Sequence, residues 1–529
     1  MQVYRLILIL FSLSLLSGCS QQAAKEAEAT ERPNILLIMA DDMGYSDLGF
    51  FGSRIRTPNL DRLAENGIVF SQFYNTSRCC PSRAALLTGL YQHQAGVGEM
   101  TSDFQLPAYQ GQLNDQCATL AELLQPAGYQ TLMSGKWHLG SAPEQWPTQR
   151  GFEQFYGIPE GGGVYFYPFN KRRNVVLNDS ILTPDSTYYS THAFNEYAVG
   201  FIDQATDQEA PFFLYVAHIA PHFPLQAPKP VYEKYIGQFK LGLEQHRQRR
   251  LQSMQTKGIL DTTVQLSPPD ERVLDWAQLS ERAKDSLDLK MAIYAAQLEI
   301  LDEGVGQMVR KLKEKGEYDN TLILFLSDNG GSHEETGLWG RYSHLDGPVG
   351  GPNSYESLGR AWANVSNTPF RMYKHWVHEG GISSPLIAHY PKLIPKPGID
   401  TQVVHIMDIV PTCLELAKVR YPDSLRGNDL IPLQGKSFVN LLRGEDREGH
   451  EVLFWEHRGN RAVRKGPWKL VSAYPDDQWA LYHIPEDRTE QNDMSNQYPE
   501  KVEELKADYR KWANQVGVVH RRELEKMGY

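Results

Sequence analysis

The sequence predicts an α/β fold: a large mixed, mainly parallel sheet flanked by helices, with a smaller C-terminal antiparallel sheet plus helix. Three observations carry this reading. Short continuous apolar runs stand at 35–40, 212–217 and 321–326, and such runs fit strands buried on both faces of a parallel sheet. Helical patterns lie between them, and alternating strands and helices place ligands at the C-terminal strand ends. From about residue 440 the texture changes to short strand-like pieces separated by Gly and Pro.

Taken in order, residues 1–18 read as an export signal, in which Arg5 precedes the apolar run 6–11. The stretch is too short to cross a bilayer as a mature helix. Leu16-Ser17-Gly18-Cys19 resembles a bacterial lipobox. That resemblance implies a lipidated Cys19 as the mature N-terminus, a membrane anchor, and a periplasmic or cell-surface address in a bacterium. The alternative is an ordinary cleaved signal with a chance cysteine. Residues 19–31, rich in Ala, Glu and Gln, read as a solvated tether. The main domain spans 32–440. Within it, Thr57-Pro58 opens a helix with a capping Thr and Pro in the first turn. The C-terminal subdomain spans 441–529, with strand-like pieces at 452–455, 462–464 and 468–471 and an amphipathic helix at 500–516.

The 529 residues exceed one ordinary core. With 41% hydrophobic and 22% charged residues the composition is globular, and the net charge of −11 argues against nucleic acid or an anionic surface as a partner. An anionic substrate therefore needs a local cluster of cations. Five cysteines, Cys19, Cys79, Cys80, Cys117 and Cys413, make no disulfide framework, although one bridge is compatible with an oxidising compartment.

Two buried runs end in oxygen donors: Asp41-Asp42 after the first, and Asp328-Asn329 after the third. Adjacent carboxylates repel unless a cation neutralises them. Three Asp and one Asn suit a hard cation such as Ca²⁺ or Mg²⁺ rather than zinc. Each pair alone also fits a helix cap or turn. Cys79-Cys80-Pro81-Ser82-Arg83, followed by Ala84-Ala85-Leu86-Leu87-Thr88-Gly89, reads as a helix with Pro81 in its first turn and Gly89 as its stop. Cys79 then sits just before a helix N-terminus, where free N–H groups favour an anion. Gly135-Lys136-Trp137-His138-Leu139-Gly140 and Ala220-Pro221-His222-Phe223-Pro224 are further motifs, and Lys374 lies five residues before Glu379-Gly380-Gly381.

Together these motifs resemble the formylglycine-dependent sulfatases, an arylsulfatase-like branch of the alkaline-phosphatase superfamily. The resemblance extends through Arg32-Pro33-Asn34-Ile35, Arg150-Gly151-Phe152, Phe454-Trp455-Glu456-His457 and Gly466-Pro467-Trp468. It implies that Cys79 is oxidised to formylglycine by a formylglycine-generating or anaerobic sulfatase-maturing enzyme. It implies one Ca²⁺ held by Asp41, Asp42, Asp328, Asn329 and the modified residue 79. It further implies that Arg83 orients the hydrated aldehyde, that Lys136, His222 and Lys374 bind sulfate, and that His222 protonates the leaving oxygen. His138 then drives sulfate loss, and Asp328 takes the proton of the attacking hydroxyl. The expected substrate is a sulfated small molecule or glycan. His218 reads as structural. In the polar segment 332–363, His333, Glu334, Trp339, Arg341 and His344 are candidates for substrate choice. Competing readings are a phosphoester or phosphonate hydrolase on the same scaffold and a non-catalytic glycan-binding lipoprotein.

Overall fold

The structure, a computed structural model, describes residues 32–163, 165–166, 173–338 and 345–529. The signal, the tether, Cys19, Trp339, Arg341 and His344 lie outside the described residues. Among those described, no helix is long and apolar enough to cross a membrane.

β1 (Asn34–Ala40), β2 (Ile68–Phe70), β3 (Gln130–Lys136), β4 (Gln154–Ile158), β5 (Val175–Leu177), β6 (Ser180–Leu182), β7 (Phe212–Ala217), β8 (Thr321–Ser327), β9 (Leu386–His389) and β10 (Gly398–Asp400) form one 10-stranded sheet. Their order is β10-β2-β9-β8-β1-β7-β3-β4-β5-β6. Every pairing is parallel except those made by β9 and β5, which run against their neighbours. The sheet is thus mixed and mainly parallel, as the apolar runs predict.

Alternation along β1 shows why its run is unbroken. Leu36 and Ile38 face a core shared with α3 (Ser190–Ala205) and α4 (Glu281–Glu314), whereas Ile35, Leu37 and Met39 face one shared with α2 (Cys79–Thr88). Each such side chain contributes about 1.5–3 kcal/mol of burial. α1 (Pro58–Glu65) begins after Thr57, but Thr57 does not cap it. Its hydroxyl instead accepts from the Gly49 N–H and donates to Asp61. The buried Asp302 carboxylate takes the N–H groups of Asn59 and Leu60, so the capping role passes to a distant acid.

The C-terminal sheet has four antiparallel strands in sequence order: β11 (Val452–His457), β12 (Asn460–Lys465), β13 (Trp468–Ser472) and β14 (Trp479–His483). α5 (Pro499–Val516) packs on it. Their apolar cluster also includes Tyr74, Tyr91, Val377, Ile382 and Met407, so this sheet packs against loops and short elements of the main domain. Cys79, Cys80, Cys117 and Cys413 are all free thiols, so the bridge that the cysteine count left open does not form among the described residues.

Candidate active site

The central strands β8, β1, β7 and β3 are mutually parallel neighbours, so their C-terminal ends lie on one edge of the sheet. β1 delivers Asp41 and Asp42, β8 delivers Asp328 and Asn329, β3 ends at Lys136, and His222 lies just beyond β7. Close approach of β3 and β7 requires glycine at 135: its φ is +123°, and a Cβ there would sit 2.0 Å from the Ala217 carbonyl oxygen.

α2 brings Cys79 to the same edge. Arg78 is its extended N-cap residue, Cys79 is its first helical residue, and Gly89 stops it with φ +71°. Cys79 is therefore one position further into the helix than the motif alone suggests. The Ser82 side chain ties the approach by accepting from the Thr76 N–H at 3.1 Å. Every residue of α2 is buried, including Arg83.

The cations and carboxylates interlock. Lys136 Nζ lies 2.5 Å from Asp41 Oδ2, and Lys374 Nζ lies 2.8 Å from the Asp42 carboxylate. Arg83 reaches Asp328 at 3.2 Å and Asp41 at 3.6 Å, and it also donates to the Lys136 carbonyl at 3.0 Å. The Asp42 N–H donates to Asp328 Oδ1 at 3.1 Å, and the Asn329 amide donates to Asp42 Oδ1 at 2.7 Å. Cys79 Sγ lies within 4.8 Å of carboxylate oxygens of Asp41 and Asp328, and within 4.8 Å of a His138 ring nitrogen. His222 places Nε2 3.5 Å from Asp42 while its Nδ1 meets the Phe223 carbonyl at 2.5 Å. Nδ1 is then the donor, which leaves Nε2 facing the site. All ten residues that the motifs single out thus converge on one site at this edge of the sheet.

Burial and charge set the protonation. Burial raises Asp41, but Lys136, His222 and Arg83 outweigh it and hold the carboxyl below its ordinary range. Burial and the charge of Asp41 push Asp328 well above that range. Burial, helped by Lys136, pushes His138 down to about 3, so its ring is neutral and able to accept a proton. A hydrogen bond with Cys80, and then Lys136 and Lys374, hold Cys79 well below the ordinary thiol value against burial.

A divalent cation fits this donor set. Asp41 Oδ1 and Asn329 Oδ1 are buried with no hydrogen-bond partner among the described residues. Both belong to the all-oxygen group that suits a hard cation. His218 is buried with both ring nitrogens unpartnered, and burial alone drives it down to about 3, in keeping with a structural role.

Two neighbours carry no motif. Arg78 pairs with Glu334 at 3.4 Å, and Glu334 lies 3.5 Å from Lys374. Only Glu334 is flagged by sequence, through the polar texture of its loop. That loop is shorter than its composition suggests, because a helix begins at Gly359. β11 brings His457 to within 5.4 Å of His375, ring centre to ring centre, a juxtaposition that no local pattern announces.

The sulfatase family model matches residues 33–419, and a model of the C-terminal region of N-sulphoglucosamine sulphohydrolase matches 370–515. The chain is 35% identical to an uncharacterized sulfatase of Schizosaccharomyces pombe, over 94% of this chain and 96% of that one. It is 34% identical to an arylsulfatase of Klebsiella aerogenes, over 81% and 96% respectively. Among solved structures it is similar to Ps i-CgsB in complex with k-i-k-neocarrahexaose: TM-score 0.67, 27% identity, 91% of this chain and 93% of that chain.

Proposed function

The chain belongs to the sulfatase family and is a sulfuric ester hydrolase, and from that premise we propose that it removes sulfate from carbohydrates, using formylglycine made from Cys79 with one Ca²⁺ at the strand ends. The observation that carries this reading is the convergence of Cys79, three buried cations and three buried carboxylates on one sheet edge. The carbohydrate class is supported by the oligosaccharide bound to Ps i-CgsB and by 28% identity to an N-acetylglucosamine-6-O-sulfatase of Bacteroides thetaiotaomicron. The lipobox-like Leu16-Ser17-Gly18-Cys19 supports an exported, lipid-anchored protein.

Residue 79 is described here as the unmodified cysteine, and its Sγ stands in for the oxygens of the hydrated aldehyde. Asp41, Asp42, Asp328 and Asn329 would hold the cation, which when bound neutralises the carboxylates and polarises a sulfate oxygen. The remaining work falls to side chains of this chain. Lys136 and Lys374 hold the sulfate oxygens and stabilise charge developing on them. Arg83, locked by Asp328, Asp41 and the Lys136 carbonyl, orients residue 79. His222 presents Nε2 to the leaving oxygen, and neutral His138 accepts the proton whose removal expels sulfate.

The test is release of sulfate or phosphate from matched monosulfated and monophosphorylated methyl hexopyranosides and phenyl esters, before and after chelation. Sulfate release should dominate, fall on chelation and return with calcium, and calcium should raise the melting temperature of stripped protein. Phosphate release dominating would overturn the assignment to sulfate.

A further inference from the structure

The site has a buried floor and a partly exposed rim. Side chains of Asp41, Arg83 and Lys136 are 0% exposed, Lys374 1% and Asp42 2%. Arg78 and His222 are 12% exposed and Glu334 18%. If the floor receives the sulfate group, the alcohol it is attached to must lie against the rim. There Glu334 Oε1 is 3.4 Å from Arg78, the residue preceding Cys79, and its Oε2 is 3.5 Å from Lys374. The Ser332 hydroxyl donates to Oε2 at 3.2 Å, and the Glu334 N–H donates back to Ser332 Oγ at 3.3 Å, which fixes the carboxylate. Arg78 Nε is buried and has no hydrogen-bond partner among the described residues.

We propose that Glu334, paired with Arg78, selects substrates carrying a free hydroxyl on the carbon next to the sulfate ester; this rests on the sulfatase reading above. A carboxylate is acceptor-only, so it takes the hydroxyl proton, while the guanidinium donates to the same oxygen. A second sulfate at that carbon would face the carboxylate at close range and be rejected. The substrate class is a sugar monosulfated at one position of a vicinal diol, rather than a vicinal disulfate.

The test uses the methyl hexopyranoside monosulfate that the wild type turns over fastest, its vicinal deoxy analogue and its vicinal disulfate. Phenyl sulfate serves as the hydroxyl-free reference. Wild type should prefer the hydroxyl over the deoxy compound by about tenfold or more in kcat/KM, the range of a hydrogen bond to a charged group. In Glu334→Gln this preference should collapse, chiefly through KM, and the disulfate should gain relative to the monosulfate. Glu334→Asp should keep part of the preference. A wild type indifferent to the hydroxyl overturns the proposal whatever the variants do, as does a preference that survives intact in Glu334→Gln. Either result would leave sulfate release itself standing. No sulfate release from any compound, with residue 79 shown to be converted, would sink both readings.

Discussion

Replacing Lys136 with methionine should lower kcat/KM for sulfate release by about 10³-fold while leaving the protein folded. The ammonium is fully buried at the end of β3, 2.5 Å from Asp41. Methionine keeps the apolar stem and removes only the charge. A preorganised donor aimed at developing charge in a water-excluded site contributes about 10²–10³ in kcat. Lys136 also compensates Asp41, so its loss disturbs a second group, and the larger figure is expected. The loss should fall mainly on kcat, because charge on the sulfate oxygens grows in the transition state. Circular dichroism and the melting temperature check the fold. A change below tenfold would remove Lys136 from the proposed machinery.

The largest stability effect should come from Lys469, which holds no assigned role in the site. Its ammonium lies on β13, fully buried, 2.8 Å from Glu379 and 2.9 Å from Glu490. Glu379 also accepts from the Tyr74 hydroxyl at 2.8 Å, and Glu490 accepts from the Glu379 N–H at 2.9 Å. Burial raises Glu490, and the charge of Glu379 adds to this against Lys469. Lys469→Met would leave the buried carboxylates of Glu379 and Glu490 facing each other with only Arg488, 3.6 Å from Glu379, to compensate them. Breaking a buried pair from one side costs about 3–5 kcal/mol. The urea midpoint should fall accordingly, and Lys469→Met combined with Glu490→Gln should recover part of the loss. The network joins the C-terminal sheet to the segment that carries Lys374, so sulfate release should weaken as well. A destabilisation below about 1 kcal/mol would show that the network is not a joint between the C-terminal sheet and that segment.

How much of this was legible in the sequence varies by element, for physical reasons. β1, β7 and β8 are buried on both faces and therefore read as unbroken apolar runs. β3 is equally buried, but Thr131, Ser134, Gly135 and Lys136 break its run, so the sequence reading names no strand there and only the Gly135–Gly140 motif marks its end. β9 is four residues long, too short for its period to stand out. β14 closes the C-terminal sheet with Trp479, Leu481 and Tyr482 but lacks a Gly-bounded run like those before it. Thr57 looked like a cap by residue type, but Asp302, 243 positions from Asn59, took the role. In the site, residues sitting on strand ends or inside short motifs could be read directly. The Arg78–Glu334 pair and the Glu379–Lys469–Glu490 network join residues far apart in the chain. Nothing local marks such pairs, because folding alone makes them neighbours.

The central claim is that residue 79 performs the chemistry as formylglycine. The most direct measurement pairs mass spectrometry of the peptide containing residue 79 with sulfate release by wild type and Cys79→Ala, both produced with a maturing enzyme. The account predicts a mass consistent with conversion of Cys79 to the aldehyde, sulfate release that scales with the converted fraction, and none from Cys79→Ala. Sulfate release from Cys79→Ala at the wild-type rate would contradict it.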